Sequence, residues 1–175
     1  ELPVRVIVPP GWSQTSAQTY PTVLALHGGN DNWTSWTRET DIKELSAAWG
    51  VVIAMPEAGR TAAFTDYFKP TAQGPLKWET FHLTEVTQIL ERGFRAGQQR
   101  AVIGISGGGY GAMSYASRHP GMFTFAASYS GMLGVNQPPT RVDDMILPPT
   151  AHGVKVISIG MFVPGNQPVV WRGPM

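Results

Sequence analysis

The stretch AVIGISGGGYGAM, residues 101–113, constrains the fold more than any other part of the chain. A β-branched run ends in Gly104-Ile105-Ser106-Gly107-Gly108, and a helix of small residues follows. This is G-x-S-x-G placed between a strand and a helix. A turn that tight holds its serine in a strained backbone conformation, and the glycines two before and two after it prevent side-chain collisions. The hydroxyl then stands above the sheet at a helix N-terminus, where the amide of Gly107 can donate to a developing oxyanion. The competing reading of the same residues is a plain glycine-rich turn.

TVLALHGGN, residues 22–30, strengthens the catalytic reading. It is a buried strand ending in His27-Gly28-Gly29. The loop after such a strand supplies a second oxyanion donor, and its glycines let the backbone approach a substrate closely. By position that donor is the amide of Gly29, with Asn30 and Asp31 lining the mouth. His27 is expected to hold this loop and not to act as a base.

Further β-branched runs lie at 4–8, 51–55, 123–129 and 154–159, and helical spacing is seen at 41–49, 81–94 and 110–118. Strands alternating with helices predict one α/β domain over residues 1–175, a mostly parallel sheet covered on both faces. No helix separates the first two strands, so they are expected to pair antiparallel at one edge. Residues 161–175 show no period and read as a wrapped coil.

Composition removes several classes of function. The net charge of +1 without basic runs argues against nucleic acid as a partner. The absence of cysteine excludes thiolate catalysis and disulfides. No apolar run approaches the ~20 residues of a membrane helix. Neither a phosphate loop, a metal cluster nor a dinucleotide fingerprint is present, so no cofactor and no metal is expected. A chain starting at Glu1 without Met fits a processed secreted protein and a trimmed one equally well; a secreted location is the expectation carried forward.

The stretches LPVRVIVPPGW, YPTVLALHGGNDNWTSW, DYF with KWETF, VIGISGGGYGAM and HPGMFTFAASYSGML together resemble the esterase family of α/β-hydrolases. That family includes esterase D-like enzymes, short-chain acyl esterases and secreted mycolyltransferases. The resemblance runs from the start of the chain to about residue 134. It implies an α/β-hydrolase fold shortened at its C-terminal end, and acyl transfer from a small-molecule, lipid or sugar ester through an acyl-serine. Water or an alcohol would be the acceptor. The family's mouth loop and adjoining helix suggest Trp33, Trp36 and Trp78 as rings that line an acyl or sugar pocket, with Trp33 and Trp78 carried forward as substrate-binding.

A serine needs a base to take its proton, and that base is usually oriented by a carboxylate. In this fold the chain order is Ser, then acid, then His. Beyond Ser106 the acids are Asp143 and Asp144, and the histidines are His119 and His152. His119 lies thirteen residues along the helix, about 20 Å away at 1.5 Å per residue, and is expected to cap its C-terminus. His152 with Asp143 or Asp144 is the one triad that sequence order permits. Its position just before a parallel strand argues against it, because such sites lie at the carboxyl ends of strands. His82 is expected at the surface or just behind the site.

The alternatives are a mycolyltransferase-like acyltransferase, a peptidase, or a non-catalytic binding domain lacking the base. A shortened sheet would leave an apolar edge uncovered, and a homo-oligomer is expected for that reason.

Overall fold

The segment YPTVLAL is nearly all apolar, and a strand of that kind must be covered on both faces. In the computed structural model it forms β2 (Tyr20–Leu26), near the middle of the sheet. The structure describes residues 2–72, 76–131, 140–142, 145–147, 150–151 and 154–158. The other strands of the main sheet are β1 (Val4–Ile7), β3 (Val52–Pro56), β4 (Ala96–Ile105), β5 (Phe125–Tyr129), β8 (Thr150–Ala151) and β9 (Val154–Ser158), in the order β1-β3-β2-β4-β5-β9-β8. Neighbours from β3 through β9 run parallel, while β1 and β8 are antiparallel edges. A separate pair, β6 (Thr140–Val142) and β7 (Met145–Leu147), is antiparallel.

The expected pairing of the first two strands is corrected. β1 is an antiparallel edge strand, but its partner is β3, in the register Val4↔Pro56 to Ile7↔Ile53. The half-buried β1 suits an edge, whereas β2 and β3 are buried along most of their length and take the interior positions. The long 8–19 connection lets the chain cross β3 to get there.

Helices α1 (Ser35–Glu39) and α2 (Ile42–Ser46) cover one face, where Ile42, Ala25, Ile53 and Met55 form a small core. The other face is larger. There α3 (Trp78–Thr80), a π-helical segment (Phe81–Val86), α4 (Thr87–Gly93) and α5 (Gly107–Arg118) pack on the sheet. Phe64, Phe81, Val86, Leu90 and Tyr115 meet Leu24, Leu26 and Val102 in this core.

The π segment explains a second correction. Of the two placements expected for His82, the surface one is overturned: it is fully buried, while Ile89 is half exposed. The wider winding turns Phe81, His82, Leu83 and Val86 all inward. His82 survives burial because both ring nitrogens are bonded: Nδ1 to the Tyr115 hydroxyl at 2.8 Å and Nε2 to the Glu57 carbonyl at 2.8 Å.

Candidate active site

Ser106 sits between β4 and α5 with φ 52° and ψ −119°, a conformation that non-glycine residues rarely adopt. Its N–H donates to the carbonyl of Tyr129 at 2.8 Å, and its carbonyl accepts the first helical bond, from Tyr110, at 3.1 Å. The side chain is exposed. Two glycines make the turn sterically feasible. A Cβ on Gly104 would lie 2.0 Å from the Gly108 carbonyl oxygen, and one on Gly108 would lie 2.4 Å from the Leu26 and His27 oxygens.

The end of β2 runs directly beside the serine. A Cβ on Gly28 would be 3.3 Å from the Ser106 Cβ and 3.9 Å from its Oγ. The Gly29 nitrogen lies 3.6 Å from where a Gly107 Cβ would stand, so the amides of Gly29 and Gly107 are neighbours at the mouth. Among the described residues neither amide has a backbone partner. Asn30, at φ 59°, instead turns its own N–H onto the Arg60 carbonyl at 2.6 Å.

His27 is buried under this loop. Its Nε2 accepts the Ala58 N–H at 2.9 Å, which leaves the proton on Nδ1 to face the Gly28 carbonyl at 2.7 Å. His119 is the C-cap residue of α5, as expected, and its Nε2 meets Glu79 Oε1 at 2.6 Å. Thus His27, His82 and His119 are all engaged elsewhere, and none of them bonds to Ser106. Asp143, Asp144 and His152 lie outside the described residues. So do residues 161–175, expected as coil.

A cleft of about 240 Å³ opens beside Ser106, lined by the Gly28-Gly29 turn, Ile105 and one side of α1. Asp31 lines it. Burial pushes the Asp31 carboxyl up, but hydrogen bonds from Arg38, Ser35 and the Asn32 N–H outweigh this and hold it below its ordinary value. Asn30 is exposed and is not among the residues lining the cleft. Trp33 and Trp78 are placed elsewhere. Trp33 lies under the Arg5 guanidinium, 4.6 Å from its ring centre, and Trp78 is buried against His82 and Phe81.

Trp36, also among the suggested rings, lines the cleft, together with Glu39 and Thr40. Their shared side follows from α1, whose start the sequence does not mark. Ser35 with Glu39, and Trp36 with Thr40, are four apart and share one side of α1, while Trp33 precedes the helix.

A mostly parallel sheet covered on both faces, with a strained serine turn at the carboxyl end of a central strand, defines a protein of the α/β-hydrolase class. S-formylglutathione hydrolase from Agrobacterium tumefaciens superposes with a TM-score of 0.68 over 75% of this chain and 53% of that one, at 17% identity. The chain belongs to the esterase family, whose model matches residues 1–171. It is 35% identical over 132 residues to Esterase Rv1288 of Mycobacterium tuberculosis, covering 73% of this chain and 28% of that protein. It is 31% identical over 132 residues to the diacylglycerol acyltransferase/mycolyltransferase Ag85B of Mycobacterium intracellulare, covering 71% of this chain and 40% of that one. The chain therefore spans well under half the length of these curated relatives. A match of another kind involves 44 residues, 25% of the chain, which are 64% identical to part of the iron-sulfur cluster carrier protein of Mycobacterium leprae, 12% of that protein.

Proposed function

We propose that the chain carries the nucleophile and oxyanion cradle of a serine carboxylic ester hydrolase. The observation that carries this reading is the φ 52° serine at the head of α5, exposed beside two amides that point to no backbone partner among the described residues. Such a strained conformation persists only where the surrounding structure imposes it, and it clusters at functional sites. In this reading Ser106 Oγ attacks the ester carbonyl carbon, and the Gly29 and Gly107 amides hold the resulting oxyanion. Collapse of the tetrahedral intermediate expels the alcohol, and water then releases the acid from the acyl-serine. An alcohol in place of water would make the same site an acyltransferase.

The proton on Ser106 must pass to a base. His152, oriented by Asp143 or Asp144, is the candidate that chain order leaves. A second reading, an ester-binding fold without a base, is favoured by one observation. β9 runs parallel to β5, so Val154 begins it at the edge of the sheet away from Ser106.

Intact mass after exposure to a fluorophosphonate tests both readings. One adduct on the parent chain, absent from Ser106→Ala, is the expected result. Loss of labelling in His152→Ala as well assigns the base to His152, and retention removes it from that role. A parent chain that stays unlabelled overturns the hydrolase reading in favour of the binding fold.

A further inference from the structure

The cleft beside Ser106 has an unusual balance of charge. Asp31 and Glu39 line it, and no lysine or arginine is among its lining residues. Both carboxylates share one cation: Arg38 meets Asp31 Oδ1 and Oδ2 at 2.9 Å each, and Glu39 Oε1 at 2.5 Å. Two acids against one guanidinium leave this wall one negative charge in excess.

The adjoining wall carries the indole of Trp36. Trp36 lines the cleft and stands edge-to-face with Tyr129, ring centres 6.0 Å apart and planes at 74°. Trp36 is fixed by an Nε1–H bond to the Leu26 carbonyl at 3.1 Å, and Tyr129 remains 43% exposed. Tyr129 is also the cross-strand partner of Ile105, next to the serine. Indole and phenol faces attract cations, and nearby carboxylates add to that attraction. At about 240 Å³ the cleft is smaller than the roughly 300–1,000 Å³ of sites for drug-sized ligands, which suits a short group.

We infer that the cleft takes the positively charged end of an ester, an alkylammonium group seated between Trp36 and the carboxylates of Asp31 and Glu39, and that it disfavours anionic esters. This rests on the reading of Ser106 as nucleophile and specifies the substrate class of the same site.

Binding to the Ser106→Ala chain tests it without requiring turnover. Titration calorimetry would compare acetylcholine, its uncharged isostere 3,3-dimethylbutyl acetate and the anionic 3-acetoxypropanoate. At low salt the cation is expected to bind about fivefold more tightly than the isostere, with the anion weakest, and the preference should shrink towards parity near 1 M salt. Glu39→Gln, at an exposed position, should cut the preference to about twofold or less and remove most of its salt dependence. Trp36→Leu should lower cation affinity without restoring the anion. An isostere that binds as tightly as the cation, or no binding by any of the three, overturns the inference. Fluorophosphonate labelling of the parent chain is read separately, so a failure of the charge preference is distinguishable from a failure of the hydrolase reading.

Discussion

Gly104→Ala should leave the chain unable to hold its native fold, with a loss above about 3 kcal/mol. The added methyl would sit 2.0 Å from the Gly108 carbonyl oxygen, 2.2 Å from its carbon and 2.7 Å from the Gly109 nitrogen. All three are backbone atoms of the first turn of α5, so no rotamer change relieves the clash. The helix cannot retreat as a unit either, because Gly108 itself rests on the carbonyls of Leu26, the last residue of β2, and of His27 just after it. Three pieces of backbone, from β2, β4 and α5, thus meet at contact distance around the serine. Gly93→Ala is the control. It ends α4 with nothing within 4 Å of the added methyl, and should be neutral or stabilise by up to about 1 kcal/mol. Urea unfolding followed by circular dichroism reads both, and a Gly104→Ala chain as stable as its parent would refute the packing described.

Acid should weaken the fold through His82. Burial depresses the imidazolium, the Glu57 carbonyl partly offsets this, and the nearby His27 adds to the depression, so that the pKa falls from 6.5 to about 4. A folded-state pKa below the unfolded one means that the unfolded chain binds a proton that the folded chain refuses. Stability is therefore unaffected by this group above pH 6.5, falls between pH 6.5 and 4, and is about 3 kcal/mol lower below that window. The partner hydroxyl gives the opposite limb. Burial raises Tyr115 above its ordinary 10, so stability falls again as pH rises past 10. Urea midpoints between pH 7.5 and 4 measure the acid limb. His82→Gln, which can still donate to Glu57 and does not titrate, should flatten it, and an unchanged slope in that variant would exonerate His82.

The serine turn, its glycines and the His27-Gly28-Gly29 turn were legible because each is a local constraint: close approach of backbone dictates residue type over a few positions. The strands at 22–26 and 51–55 were legible for the same reason, their apolar runs being uninterrupted. What sequence did not show is nonlocal. Whether β1 lies beside β2 or β3 depends on which strand needs the interior more. β4 begins at Ala96, five residues before its apolar half, because Tyr20 pairs with Ala96 and Thr22 with Arg100 across an irregularity in the register. The inward turn of His82 follows from the π winding, which a wheel of fixed period cannot represent. Trp36 and Trp33 look alike in sequence, and only the start of α1 decides which one reaches the cleft.

The order β1-β3-β2-β4-β5-β9-β8 has a consequence for how the site tolerates change. From β2 the chain winds outward to β3 through α1 and α2 on one face. From β4 it winds the other way to β5 through α5 on the opposite face. At such a topological reversal the connections diverge, and a crevice is left open above the carboxyl ends of the two strands. His27-Gly28-Gly29 and Ser106 stand on its two banks. The crevice is thus a property of the winding, whereas nucleophilic chemistry depends on one side chain within it. A descendant that lost its serine would still keep a place for a ligand to dock, and new chemistry would be easiest to install there.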